Sequence, residues 1–190
     1  MTSFFKSIFF YFLFIFLIII FIIFSSLNII LYNDYPSSSL DGTFIWPLPG
    51  YSYISSYFGL RISPTSGAST YHSGIDIPAP ANTPIYSICP GIVTFASWGA
   101  GGGYTIVVIF DNISVSYCHV SPIMFVNRGD TVESGQIIAT VGPKNVYGIL
   151  NNPYKDENGN PTNGATTGTH LHLTIKDNGS AVNPLSFFNY

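Results

Sequence analysis

The chain has 190 residues, enough for one folded domain and an appendage, and only 8% of them are charged, for a net charge of -3. Its six basic residues are scattered rather than clustered, so the electrostatic footprint of a nucleic-acid binder is missing and that class of partner is excluded. Two cysteines are too few for a disulfide framework, and each sits in an apolar, strand-like run where it reads as a small core side chain.

From Ile8 to Phe24 no charged or strongly polar residue interrupts the chain, and Ile29 to Leu31 resume the apolar run. A bilayer needs about 20 largely apolar residues in a helix. Residues 8–31 are therefore expected to form a single transmembrane signal anchor. The run exceeds the usual apolar core of a cleavable signal, and no small-x-small cleavage site follows it. Lys6 is the only charge before Asp34, which places residues 1–7 in the cytoplasm and the remainder outside. Residues 32–43, with Asn33, Asp34, Pro36 and three serines, read as a linker.

Residues 44–190 form the expected domain. Trp46-Pro47-Leu48-Pro49-Gly50 opens it as a turn, and Pro64, Gly67 and Ser69 mark a loop. Beyond His72-Ser73-Gly74-Ile75-Asp76 and the turn at Pro78-Ala79-Pro80, short β-prone runs predict strands over 85–89, 92–96, 104–110, 113–119, 136–141 and 170–176. Asp111-Asn112 fits a two-residue hairpin turn. No helical periodicity separates these runs, so the fold class is all-β, with antiparallel sheets. Gly99 to Gly103 reads as a mobile glycine loop, without the following helix that phosphate binding requires. Lys144 to Gly168 is the longest stretch without predicted structure. Within it Asp156-Glu157-Asn158-Gly159-Asn160 resembles a calcium loop but lacks the later bidentate glutamate, and Asn-Gly equally marks a tight turn.

The chain has four histidines. His170 and His172 lie two apart in a strand, so both project from one face while Leu171, Leu173 and Ile175 take the other. His72 and Asp76 offer an imidazole and a carboxylate four residues apart, with Gly74 between them to let the backbone bend closely around an ion. With His172 they make a His2Asp set, the three-ligand pattern that leaves a fourth zinc position open for water. Parity alone makes His170 and His172 equivalent. His119, at the end of its strand, and the remaining histidine are free for proton transfer or oxyanion stabilisation.

Taken together, His72-x3-Asp76, Ser116-Tyr117-Cys118-His119 and His170-Leu171-His172 resemble the LytM and lysostaphin-type zinc metallopeptidases, which cut peptide bonds in bacterial peptidoglycan. Phe58-Gly59-Leu60-Arg61, Gly129-Asp130 through Gly135-Gln136 and Val182-Asn183-Pro184 extend the resemblance from Trp46 to Leu185. It implies a barrel-sandwich-like domain of antiparallel sheets with a groove between them. Zn2+ is implied on His72, Asp76 and His172, with His119 and His170 as the catalytic pair. An extended peptidoglycan peptide is implied as substrate, with its scissile carbonyl at the metal; the N-terminal anchor then makes the expected location the bacterial cell membrane, single-pass, with the domain outside. Thr169, Cys118 and Phe58 depart from common members of the family. Phe58 replaces a tyrosine credited with assisting the transition state, which leaves Tyr57, Tyr71 and Tyr117 as substitutes. The insertion at 144–164 is expected to shape one groove wall. The alternative reading is a catalytically idle module of envelope assembly with the same fold.

Overall fold

The apolar and polar residues that alternate through 104–118 and 170–177 become the centre of a seven-stranded sheet in the computed structural model, which describes residues 14–16, 18–20 and 44–188. The chain divides into two units, Met1–Gly42 and Thr43–Tyr190. In the first, the described residues are helical, and Phe14, Phe16, Ile18, Ile19 and Ile20 are exposed. Among the described residues no helix is long and apolar enough to cross a membrane. The expected span over 8–31 otherwise lies outside them, as do the segments 1–7 and 32–43.

The second unit consists of β1 (Gly59–Leu60), β2 (Tyr71–His72), β3 (Ile75–Pro78), β4 (Pro84–Tyr86), β5 (Gly91–Trp98), β6 (Tyr104–Phe110), β7 (Ile113–Cys118), β8 (Thr131–Val132), β9 (Ile137–Thr140), β10 (His170–Asp177) and β11 (Ser180–Val182). Two 3-10 turns, Ala100–Gly102 and Pro184–Phe187, complete it. The main sheet runs β11-β10-β7-β6-β5-β8, with β3 also paired along β10, while β1-β2 and β4-β9 form separate two-stranded ladders. Every pairing is antiparallel, as the strand patterns predict, and the order is an open path rather than a closed barrel. The hairpin at Asp111-Asn112 joins β6 to β7, with Asp111 at a φ of 51°.

Register follows from burial. Leu171, Leu173 and Ile175 of β10 are completely buried, together with Val115 and Tyr117 of β7 and Ile75 and Ile77 of β3. Each such aliphatic side chain contributes roughly 1.5–3 kcal/mol relative to exposure. A slip of one residue would send the β10 aliphatics to the opposite face and turn the histidines into the core. The predicted strand over 85–89 ends at Tyr86, because Ser87 Oγ donates to the Cys89 carbonyl at 2.8 Å and the Ile88 amide donates to Tyr117 Oη at 2.8 Å. Cys89 and Cys118 are both buried free thiols.

Two loops are more ordered than the sequence implies. The glycine loop folds as a 3-10 turn against residues 163–164, where Gly103 packs so closely on the Asn163 backbone that a side chain has no room. In the stretch from Lys144 to Gly168, Asp156 accepts from the amides of Asn158 and Asn160 and from the side chain of Asn145, at 2.8–3.0 Å. Lys144 Nζ lies 3.9 Å from the same carboxylate. Amide donors and an ammonium group thus occupy the Asp156 oxygens, which makes this segment a turn anchored by Asp156 rather than a cradle for calcium.

Gly74 is required for a reason different from the one expected. A methyl group there would strike the Leu173 carbonyl of β10 and come within 2.8 Å of Thr174 Oγ1, so the glycine permits close strand approach rather than curvature around an ion. Gly74→Ala should destabilise the domain by about 1–3 kcal/mol, as overpacking does, read as a lower denaturation midpoint in the metal-free protein. An unchanged midpoint would mean that β3 can shift away from β10 without cost.

Candidate metal centre and groove

The side of β10 opposite the core forms the floor of a cavity of about 710 Å³. His170, His172 and Thr174 contribute from β10, and Ser116 and Cys118 from β7. One wall is the loop from Arg61 to Ser69, and the other combines Gly101 and Gly102 with Ala165 to Thr167. The walls approach each other beside Tyr154, whose Cε1 would lie 2.7 Å from a methyl group added at Gly67 and whose Oη would lie 3.4 Å from one at Gly101. Through this ring the 144–164 insertion braces both walls.

Strand register decides which histidine meets Asp76. In the β3-β10 ladder His172 lies opposite Asp76, and His170 lies opposite Pro78. The β1-β2 ladder places His72 alongside, completely buried at its ring. His72 Nε2, Asp76 Oδ1 and His172 Nδ1 form a triangle with edges of 2.9, 2.8 and 3.2 Å. Among the described residues this is the grouping of side chains that could hold a metal ion.

The donor set fits zinc. A tetrahedral ion with ligands at about 2.0–2.1 Å separates them by about 3.3 Å, close to the edges of this triangle. The carbonyl of Tyr57 accepts from His72 Nδ1 at 2.9 Å, which fixes the proton there and turns the Nε2 lone pair toward Asp76. Thr174 Oγ1 lies 2.8 Å from His172 Nε2 and can accept its proton, leaving a second lone pair at Nδ1. In these tautomers three lone pairs converge on one point, an arrangement that a cation relieves. Burial opposes ionisation of Asp76, but when the imidazoles of His170, His172 and His72 instead carry protons on the nitrogens that face it, their hydrogen bonds outweigh burial and hold the carboxyl far below the usual carboxylate range.

Arg61 and Ser56, whose roles the sequence motifs do not reveal, support these donors from behind. Arg61 Nη1 donates to Asp76 Oδ2 at 3.1 Å and to Ser56 Oγ at 2.6 Å, and Ser56 Oγ lies 3.1 Å from His72 Nδ1. One guanidinium thereby orients both a carboxylate and an imidazole of the cluster. Arg61→Ala should weaken zinc binding by about 10–100-fold, measured by competition with a chelator. Arg61→Lys should restore little, because a single ammonium cannot reproduce the planar fork of a guanidinium. Unaltered affinity in Arg61→Ala would show that Asp76 is held without it.

His119 and His170 flank the cluster, their ring centroids 4.8 Å apart. His119 Nδ1 donates to the Asn163 carbonyl at 2.6 Å, and His170 Nδ1 donates to the Gly168 carbonyl at 3.0 Å. Each ring is thus anchored at one nitrogen, with Nε2 left as the other polar atom. His170 Nε2 approaches Asp76 Oδ1 no closer than 3.5 Å. Burial, reinforced by the neighbouring imidazoles, pulls the pKa of His119 down to about 3, so its ring is neutral at ordinary pH. His119 also has a φ of 59°, in the left-handed region. Simple alternation after Cys118 would send this ring into the core, and the positive φ returns it to the groove. Hydrogen bonds from the His119 amide to Gly102 O at 2.7 Å and from the Gly142 amide to His119 O at 2.9 Å hold that backbone.

The three tyrosines near Phe58 now separate. Tyr117 Oη is buried on the core side against the Ile88 amide, and Tyr57 contributes its carbonyl to His72, whereas Tyr71 lines the groove.

Known proteins match this chain in both sequence and structure. The model for Peptidase family M23 matches residues 70–184. The DD-carboxypeptidase/endopeptidase Mpg of Neisseria meningitidis is 31% identical over 137 residues, a stretch that covers 72% of this chain but only 27% of that protein. The catalytic domain of the antimicrobial peptidase lysostaphin from Staphylococcus simulans superposes with a TM-score of 0.55 at 27% identity, covering 72% of this chain and 91% of that domain. A zinc-containing peptidase from Vibrio cholerae superposes with a TM-score of 0.57 at 26% identity, covering 73% of this chain and 37% of its own.

Proposed function

The chain belongs to Peptidase family M23, and from that premise we propose that it is a zinc-dependent endopeptidase that hydrolyses peptide bonds in bacterial cell-wall peptidoglycan. The observation that carries this reading is the triangle of His72, Asp76 and His172 donor atoms, flanked by two further imidazoles in one groove. The relatives named as a DD-carboxypeptidase/endopeptidase and as an antimicrobial peptidase support a cell-wall substrate.

His72 Nε2, Asp76 Oδ1 and His172 Nδ1 would hold the ion. Bound zinc supplies Lewis acidity, polarising a carbonyl and lowering the pKa of water to about 7. The protein's part is positioning and proton traffic. The groove holds the peptide extended over β10, with small side chains at Ser116, Thr174 and Ala165 giving its backbone room. His119, neutral at ordinary pH, has Nε2 free to take a proton from the attacking water. His170, anchored at Nδ1, can carry a proton at Nε2 and donate it to the oxygen on which negative charge develops, or to the departing amine.

We further propose that residues 8–31 anchor the protein in the bacterial membrane with 44–190 outside. The uninterrupted apolar run from Ile8 to Phe24, its resumption at Ile29 to Leu31, the single Lys6 before it and the exposed Phe14, Phe16 and Ile18 support that arrangement.

Incubating the zinc-loaded full chain with purified cell walls and weighing the released fragments tests the enzymatic reading. Muropeptides cut at a peptide bond, and their absence after chelation, are the expected result. A zinc-loaded protein that releases none overturns it and favours an idle assembly module.

A further inference from the structure

We propose that the groove continues along β10 to an anion subsite at Lys176, which takes a carboxylate of the bound peptide. This rests on the peptidase reading above for the identity of the ligand as a peptide. The pleat puts His170, His172, Thr174 and Lys176 on one face, and all four line the groove. Four residues of strand separate Lys176 from His172, about 13 Å, so a carboxylate there would belong to a residue two to four positions from the scissile bond once the lysine stem's reach is allowed for.

Among the described residues the charge of Lys176 has no ionic partner. The described ion pairs engage Arg61 with Asp76, and Lys144 with Asp156 and Glu157, and none involves Lys176. Its partners across the sheet, Ser114 and Ala181, are uncharged. The adjacent Asp177 accepts from the side chain amides of Asn112 and Asn178. Among the described residues of the groove the one carboxylate is Asp76, and Arg61 and the imidazoles already surround it. A cation without an ionic partner among the described residues, four strand residues along the groove floor from the donor cluster, attracts an anionic substituent and disfavours a bridge made only of uncharged residues.

The carboxylate can be the C-terminus of the peptide or a side chain, and amidation separates the two. Binding to the zinc-loaded full chain in detergent would be titrated with three fluorescent stem-type peptides: one with free carboxylates, one amidated at the C-terminus and one amidated at its side-chain carboxylate. One amidated peptide should bind about three- to tenfold more weakly than the free acid, and the difference should shrink in high salt. Lys176→Glu should abolish the preference, and Lys176→Arg should keep it. Lys176 is exposed, so neither variant threatens the fold. Equal binding of all three peptides, a preference that persists in Lys176→Glu, or no binding of any peptide overturns the subsite. Preferential binding without cleavage keeps the subsite and removes the peptidase reading alone.

Discussion

His172→Ala should leave the purified protein without stoichiometric zinc and without turnover, whereas His170→Ala should keep its zinc. The two residues share a strand, a face and a residue type, so the contrast depends on register. His172 lies across from Asp76, and its Nδ1 is 2.8 Å from Asp76 Oδ1 and 2.9 Å from His72 Nε2. His170 lies across from Pro78, and its Nδ1 is committed to the Gly168 carbonyl. Removing one of three protein donors should weaken binding by more than the roughly 10–100-fold typical of outer supporting residues. Metal content after dialysis against a weak chelator is the measurement. Equal loss of zinc from both variants would show that the two histidines are not divided between holding the ion and handling protons.

The second large effect falls on turnover with the metal retained. His170→Ala and His119→Asn should each lower kcat by about 10²–10⁴-fold, the range for a positioned proton-transfer or oxyanion-stabilising group. Asparagine is the better test at 119 because the backbone there is left-handed, at a φ of 59°, and asparagine tolerates that region where alanine does not. Zinc content and unfolding midpoint measured alongside separate a chemical role from a structural one. If either variant keeps wild-type turnover, the proton traffic runs through another group, and Tyr71 at the groove edge becomes the next candidate.

Much of the scaffold was legible because alternation is a local property. The apolar residues at 106, 108, 115, 117, 171, 173 and 175 announce which face is buried, and the Asp111-Asn112 turn sets the β6-β7 register. Strands of two to four residues, such as β1, β2 and β8, are too short to carry a period and emerge only from pairing. The stretch from Lys144 to Gly168 read as structureless because its order comes from side chain to backbone hydrogen bonds around Asp156, which leave no hydropathy pattern.

For the site, the sequence by itself determined the inventory: four histidines and Asp76, in motifs that resemble one family, with both members of the 170–172 pair on the polar face of a strand. Tertiary structure decided how they meet. Asp76 and His172 are 96 residues apart and His72 and His172 are 100 apart, so only the β3-β10 register and the β1-β2 ladder could bring their donor atoms together. The turn of His119 back into the groove depends on a positive φ held by Gly102 and Gly142, and the closeness that reserves Gly74 depends on a carbonyl of β10. Local patterns determine which face a side chain takes, because the backbone geometry of a strand is local. Which faces confront each other depends on long-range pairing, and that pairing brings the donor atoms of these residues together.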